Sequence, residues 1–285
     1  MSQQRTAVIT GASTGFGRRT AEALAADGWR VYATMRNVEG SNAKFAAELR
    51  AQNIDVVELD VTSDASVDAA AKKILAQTGA PDLLVNNAGA GYFGIQEAFT
   101  LATVEQQYAI NVFGPLRVNR AFLPAMRERK SGLVVWVSSV VGRYVLPFGS
   151  IYASTKFAME ALAQASSYEL APFGIDVAIV EPGAFPTEIF GKVVGADDAA
   201  RVAAYGADAE RLSAAMNERL GSLAADRDPA DVARAIVALA NAPAGTRPLR
   251  TTVPADENAD AINAAVEPIQ AELVKAFGFG EKAAV

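Results

Sequence analysis

Short apolar runs, largely of β-branched residues, alternate along this chain with longer stretches in which apolar residues recur every three or four positions. The runs predict seven strands: Thr6 to Thr10, Trp29 to Thr34, Ile54 to Leu59, Asp82 to Asn86, Leu133 to Ser138, Ile175 to Val180 and Leu249 to Val253. Most are apolar at consecutive positions, as strands covered on both faces must be. Between them, Phe16, Thr20, Ala23 and Leu24 form one helical stripe, and Val67, Ala71, Ile74 and Leu75 another, the second opened by Ser63-Asp64 as a cap. Asp228-Pro229 opens a later helix, with proline pre-set for the first turn. This alternation predicts an α/β protein: a doubly wound, mostly parallel seven-stranded sheet with helices on both faces, in one domain over residues 1–285. Two stretches break the rhythm. Ala184 to about Asp226, after the sixth strand, is expected to be a substrate lid, with Val193 to Leu220 helical and closing over the site. The C-terminal extension, about 254–285, holds an amphipathic stretch from Ala261 to Phe277, expected to pack on a neighbouring subunit or complete the substrate pocket.

Composition narrows the chemistry. The chain has 285 residues, 51% hydrophobic, enough for a sizeable single core. Its formal net charge of −6 and the lack of any basic run argue against a nucleic-acid partner. Without cysteine or histidine there is no thiol nucleophile, thiolate metal site or imidazole base, so no metal site is expected and Ser-His-Asp chemistry is excluded. The longest apolar stretch, Leu133 to Val137 continuing through two serines to Val141, is far below the roughly 20 residues of a membrane span. An apolar strand begins at Thr6, leaving no room for a signal peptide, so a cytoplasmic protein without a membrane partner is expected.

Two local patterns carry candidate chemistry. Tyr152 and Lys156 stand one helical turn apart on one face. A neighbouring cation stabilises phenolate and would lower the tyrosine pKa toward the working range of a general acid/base. Ser139 lies thirteen residues before Tyr152 at a strand end, and strand alternation turns its rival Ser138 to the other face. The second pattern is Thr10-Gly-Ala-Ser-Thr-Gly-Phe-Gly17, directly between a strand and a helix. Gly11 would make the tight turn, Gly15 would let backbone approach a pyrophosphate and Gly17 would allow close helix packing, with the helix N-terminus offering N–H groups to the phosphates.

Taken in order, the glycine pattern, Asn86 to Gly89, Asn111, Ser139, Tyr152, Lys156 and the Pro182 to Thr187 segment resemble the short-chain dehydrogenases/reductases over roughly residues 5 to 190. The resemblance implies a Rossmann-type fold and an oxidoreductase moving a hydride between a nicotinamide cofactor and a carbonyl or secondary alcohol. It assigns catalysis to Asn111, Ser139, Tyr152 and Lys156. Tyr152 would exchange the proton and Ser139 would fix the substrate oxygen. Lys156 would hold the nicotinamide ribose and tune the tyrosine, while the backbone at Asn111 would hold a water leading to solvent. The implied cofactor contacts are Gly11, Ser13, Thr14, Gly15, Phe16, Gly17, Arg36, Asp60, Val61, Asn87, Ala88, Gly89, Tyr152, Lys156, Pro182, Gly183 and Thr187. Asp60 would accept from the adenine amino group and Thr187 would bond the carboxamide. A homodimer or homotetramer is also implied, with the helices from Leu101 and Ile151 as interface faces. Two alternatives share these features: a nucleotide-binding regulatory protein on the same fold, and a sugar-nucleotide epimerase or dehydratase, which shares Tyr-x-x-x-Lys.

Cofactor choice rests on Thr34-Met35-Arg36-Asn37 at the end of the second strand, which lacks the carboxylate that would bind the 2′-hydroxyl of NAD. Arg36 can instead make charge-assisted hydrogen bonds to a 2′-phosphate, so NADP(H) is expected over NAD(H). Thr14 departs from the basic residue that many NADP-using members carry before the middle glycine. Substrate contacts are expected from loops at the strands' carboxyl ends: Tyr92, Phe93, Val145, Leu146, Phe148, Phe185 and Phe190, together with Ser139 and Tyr152. Their apolar character suggests either a hydrophobic substrate or a lid that packs on its own domain. Arg143 is a candidate clamp for an acidic one.

Overall fold

The computed structural model describes residues 4–187 and 193–279. Seven strands are present: β1 (Thr6–Ile9), β2 (Arg30–Met35), β3 (Asp55–Glu58), β4 (Leu83–Asn86), β5 (Gly132–Val137), β6 (Ile175–Pro182) and β7 (Arg250–Val253). They form one sheet in the order β3-β2-β1-β4-β5-β6-β7. Every pairing is parallel, so the sheet is more uniform than the mostly parallel one expected.

The consecutive apolar residues of each strand serve two cores. In β1, Ala7 and Ile9 face one layer and Val8 the other. The first layer contains α1 (Gly15–Ala26), α2 (Ala43–Arg50) and α9 (Ala230–Asn241), through Leu24, Leu49 and Ile236. The second contains α3 (Asp64–Thr78), α5 (Gly114–Arg129) and α6 (Ser150–Leu170), through Ile74, Phe122 and Met159. Each such side chain taken fully from water stabilises the fold by about 1.5–3 kcal/mol. The predicted helix starts are present. Ser63 accepts from the Ser66 amide at 3.3 Å to cap α3, and Asp228 accepts from the Ala230 amide at 2.9 Å ahead of α9.

Chain direction places the site. β1 lies between β2 and β4, and the connections from β1 and β4 leave to opposite faces, so a crevice opens at the carboxyl ends of these two strands. Above it, α4 (Leu101–Tyr108) runs into α5 through a π-helical turn at Ala109–Phe113. Such bulges displace backbone groups from the regular ladder and recur at functional sites.

The insertion holds α7 (Ala199–Ala204) and α8 (Gly206–Ala224), in which only Ala224 is buried. It is fastened beside the β4 loop rather than to the core. Tyr92 bridges to Val194, and the Asp197 carboxylate accepts from the Thr100 amide at 2.8 Å and from the hydroxyls of Thr100 and Thr103, each at 2.7 Å. These bonds, the Thr100 amide first, pull Asp197 down to about 2. The C-terminal helix α10 (Glu257–Ala276) docks on its own sheet edge. Asn263 donates to Glu181 at 2.8 Å, Thr252 donates to Asp260 at 2.7 Å, and Asp256 caps the helix while accepting from Tyr144 at 3.2 Å. Val266, Ile269 and Leu273 on α10 and Phe277 just after it are exposed.

Candidate active site

The glycine loop between β1 and α1 is set by Thr10, which sequence patterns place only at a strand end. Its hydroxyl donates to the Val85 carbonyl at 3.2 Å and accepts from the amides of Asn87 and Ala88, each at 3.0 Å. The Asn87 side-chain amide donates to the carbonyls of Thr10 at 2.8 Å and Gly11 at 3.2 Å. The Asn87 side chain is therefore a brace between the β1 and β4 loops. Gly11 has φ +68, and a Cβ there would meet Ala88 Cα at 2.8 Å, so turn and close approach both demand glycine. Ser13, Thr14, Gly15 and Phe16 follow at the start of α1, whose first turn holds no acidic residue to occupy its amides. Gly89 lies near the Asn111 side chain.

Ser139, Tyr152 and Lys156 come together at the ends of β5 and α6. Ser139 is buried; its hydroxyl donates to the Pro182 carbonyl at 3.1 Å and bonds the Tyr152 phenol. Ser138 points away, toward Gly142 and Glu160, as strand alternation predicts. The Lys156 ammonium is buried, donates to the Val137 carbonyl at 2.9 Å and lies 5.5 Å from the Tyr152 ring centroid. Burial pushes Lys156 down to about 8, partly offset by Glu160. The expectation that Lys156 brings Tyr152 toward neutrality is not met in the protein alone. Burial pushes the phenol up to about 12, and the opposing influence is its hydrogen bond to Ser139. Tyr152 is thus a protonated donor across the physiological range.

Asn111 sits in the π turn, fully buried. Its side chain accepts from the Ala90 amide at 2.9 Å and donates to the Ala90 carbonyl at 2.9 Å and to Thr155 at 3.0 Å. Thr155 in turn donates to the Tyr152 carbonyl at 2.7 Å, so the side chain of Asn111 ties the β4 loop to the Tyr152–Lys156 turn of α6. Thr155 is a site-shaping residue for which no sequence signal stands out. Asp60 accepts from the amide and hydroxyl of Thr62, at 2.9 and 2.7 Å, through one carboxylate oxygen, and Val61 lies under Gly114.

The Pro182 to Thr187 segment closes the crevice on the far side. The Gly183 amide donates to Val253 at 2.9 Å, and a Cβ on Gly183 would meet the Arg227 guanidinium at 2.5 Å. Thr187 is half-buried, with its amide on the Phe185 carbonyl at 2.8 Å. Phe185 itself corrects an expectation. It is buried, edge-to-face on Phe16 at 5.4 Å and 5.9 Å from the Arg227 guanidinium, so it packs the two loops together instead of facing a substrate. Tyr92 is likewise buried, at the bridge to Val194. Phe93 lies against Tyr152, ring centroids 5.1 Å apart, while Leu146 and Phe148 are half-buried and Val145 is exposed. Phe190 lies outside the described residues. Arg143 does not reach outward as a clamp; it turns into a buried group with Arg250, Glu160 and Glu181. Arg36 is exposed at the carboxyl end of β2, with the Asn42 side chain donating to its carbonyl at 2.6 Å.

Among the described residues there is no cluster able to hold a metal ion and no helix long and apolar enough to cross a membrane. The short chain dehydrogenase family profile matches residues 5–198. Retinol dehydrogenase 8 of Bos taurus is 40% identical over 195 residues, 67% of this chain and 62% of that protein. The 17-beta-hydroxysteroid dehydrogenase type 1 of Mus musculus is 39% identical over 196 residues, 66% of this chain and 56% of that protein. The chain thus spans about three fifths of the length of these curated relatives. A short-chain dehydrogenase from Streptomyces avermitilis superposes with a TM-score of 0.78 at 34% identity, over 96% of each chain. A Burkholderia phymatum short chain dehydrogenase/reductase in complex with NAD matches with TM-score 0.74 at 28% identity, over 93% of this chain and 92% of that one. An alcohol dehydrogenase from Thermococcus sibiricus complexed with 5-hydroxy-NADP matches with TM-score 0.70 at 29% identity, over 88% and 96%.

Proposed function

The chain belongs to the short-chain dehydrogenase family, and we propose on that premise that it reduces a hydrophobic carbonyl compound, with NADPH as the preferred hydride source. The observation that carries this reading is the meeting of Ser139, Tyr152 and Lys156 beside the β1–β4 crevice. The residues there suit a dinucleotide: a glycine loop braced by Thr10 and Asn87, and an α1 N-terminus free of acidic side chains. When bound, the nicotinamide supplies the hydride that attacks the carbonyl carbon. Ser139 hydrogen-bonds the carbonyl oxygen and fixes it for attack. Tyr152, protonated at neutral pH, gives that oxygen its proton, producing the alcohol. Lys156 holds the nicotinamide ribose and places a positive charge near the phenolate left behind. Asp60, Val61, Asn87, Ala88 and Gly89 would hold the adenosine side of the cofactor, and Pro182, Gly183 and Thr187 the nicotinamide side.

Phe93, tilted against the Tyr152 ring, and Leu146 would form an apolar entrance, and the segment from Val193 to Leu220 would close over it. The names of the two mammalian relatives point to retinoid and steroid carbonyls or alcohols as the first compounds to try. The test follows NADPH absorbance over a panel of such ketones and aldehydes. Turnover supports the reading, while tight cofactor binding without turnover on the panel favours a regulatory role.

NADPH preference rests on Arg36, which is exposed and forms none of the ion pairs found around it. A charge-assisted hydrogen bond to the 2′-phosphate stabilises by about 1.5–3 kcal/mol, so Arg36→Asp is expected to lower kcat/KM with NADPH by about 10- to 100-fold. Comparable efficiency with NADPH and NADH in the parent protein would sink the assignment. We also expect a cytoplasmic homodimer or homotetramer, formed through the α4–α5 and α6 faces, where Leu101, Phe113 and Phe157 are exposed. Light scattering that shows a monomer at micromolar concentration contradicts it.

A further inference from the structure

Under the catalytic turn lies a second group of charges that the chemistry above leaves unused. Glu160 follows Lys156 by one turn on α6 and is buried, as is Glu181 in β6. Arg250 of β7 lies between them, its Nε 3.0 Å from Glu160 Oε2 and 3.5 Å from Glu181 Oε1. Its Nη2 donates to Gln164 at 2.7 Å. Arg143, just beyond β5, adds a second guanidinium, and Asn263 of α10 donates to Glu181 at 2.8 Å. Gly142 makes room for the arrangement, since a Cβ there would stand 2.9 Å from Ser138 Oγ and 3.0 Å from Glu160 Cγ.

As a purely stabilising device this cluster is poor. Buried ion pairs recover their desolvation cost only when the remaining lone pairs and protons are satisfied. Here Glu160 Oε1, Glu181 Oε1, Arg143 Nε, Ser138 Oγ and Asn263 Oδ1 are buried and accept or donate no hydrogen bond among the described residues. We propose that Glu160 is a positioning residue of the active site. Seated by Arg250 and Gly142 one turn from Lys156, its carboxylate is the counter-charge that keeps the lysine an ammonium while Tyr152 passes its proton. The inference rests on the reductase reading for its catalytic meaning, but the charge coupling itself does not depend on it.

The electrostatics run in one direction. Burial drives Lys156 toward the neutral amine and Glu160 opposes this. The groups facing Glu160 are Lys156 on its own helix, Arg250 from β7, Arg143 from beyond β5 and Glu181 from β6. Burial first, and then the charge of Glu160, raise Glu181 to about 7.

Two readouts test the proposal on the full-length protein. NMR of protein labelled at the lysine side chains, with Lys156→Arg for assignment, reads the Lys156 titration without any substrate. Glu160→Gln is expected to lower its midpoint by about one pH unit, and Glu160→Asp to restore most of it. In the kinetics of carbonyl reduction, the alkaline limb of kcat/KM should move acidward by the same amount in Glu160→Gln. If the cluster only holds α6, β6 and β7 together, Glu160→Gln lowers the melting temperature and leaves the lysine titration in place, which overturns the proposal. Should Glu160→Gln not fold, Glu160→Asp is read alone: drawing the carboxylate back by one methylene is expected to lower the Lys156 midpoint slightly, and an unmoved midpoint overturns the proposal. A parent protein without turnover undercuts the reductase reading alone, because the NMR titration still decides the coupling.

Discussion

Replacing Tyr152 with phenylalanine is expected to lower kcat/KM for carbonyl reduction roughly 10³-fold, the scale of a positioned general acid. The substitution removes one oxygen and little else. The ring keeps its contact with Phe93 at 5.1 Å, and the Ser139 hydroxyl keeps its bond to the Pro182 carbonyl at 3.1 Å. Burial of the phenol is unfavourable to its ionised form and not to its neutral one, so the fold loses no paired charge. Cofactor affinity by fluorescence titration and the melting temperature should therefore stay close to the parent while turnover collapses. Turnover that survives unchanged would remove Tyr152 from the reaction. A joint loss of affinity, stability and turnover would mean that the hydroxyl serves the architecture instead.

The second large effect is expected from Gly17→Ala, one methyl group at the first turn of α1. A Cβ there would stand 2.6 Å from the Gly11 carbonyl oxygen and collide with the Asn87 side-chain amide, the group that donates to the Thr10 and Gly11 carbonyls. Neither neighbour is a free side-chain tip, so the glycine loop and the β4 loop must part. Overpacking of this kind costs about 1–3 kcal/mol, and the separation opens the anion-binding end of α1. The dissociation constant for NADPH should rise at least about tenfold, the equivalent of about 1.4 kcal/mol, together with a lower melting temperature. An unchanged dissociation constant would mean that this loop does not hold the pyrophosphate.

Strand positions were legible because strands covered on both faces read as consecutive apolar runs; the Ser139, Tyr152, Lys156 constellation came from the family resemblance, with the helical period putting Tyr152 and Lys156 on one face and strand alternation separating Ser139 from Ser138. Even Ser138 was turned the right way by that rule. The less legible parts depend on contacts between segments far apart in the chain. Phe185 looked like a pocket wall because it is an aromatic on a carboxyl-end loop, but Phe16, 169 positions earlier, takes it into the core. Arg143 looked like a clamp for an acidic substrate, and only the meeting of β6, β7 and α6 brings it under the influence of Glu160 and Glu181 instead. Thr10 opens the glycine pattern and Thr155 lies between Tyr152 and Lys156, yet no spacing rule gives either a role; their importance lies in which amides and carbonyls the fold brings to their hydroxyls. Lys156 shows a further limit. Spacing put a cation beside the phenol, but burial of both groups, which spacing does not record, sets their proton affinities.

The central position of β1 in the sheet also governs how the chain is made. β1 is synthesised before the other strands of the sheet, with all four of its residues destined for burial, yet one flank pairs with β2 and the other with β4, so that Ala7 meets Leu83. Parallel pairings of such separation form slowly, because the intervening loop must close before any contact rewards it. Until β4 has left the ribosome, a fully apolar strand therefore waits with one edge open, which makes the emerging N-terminal half the stage most exposed to aggregation.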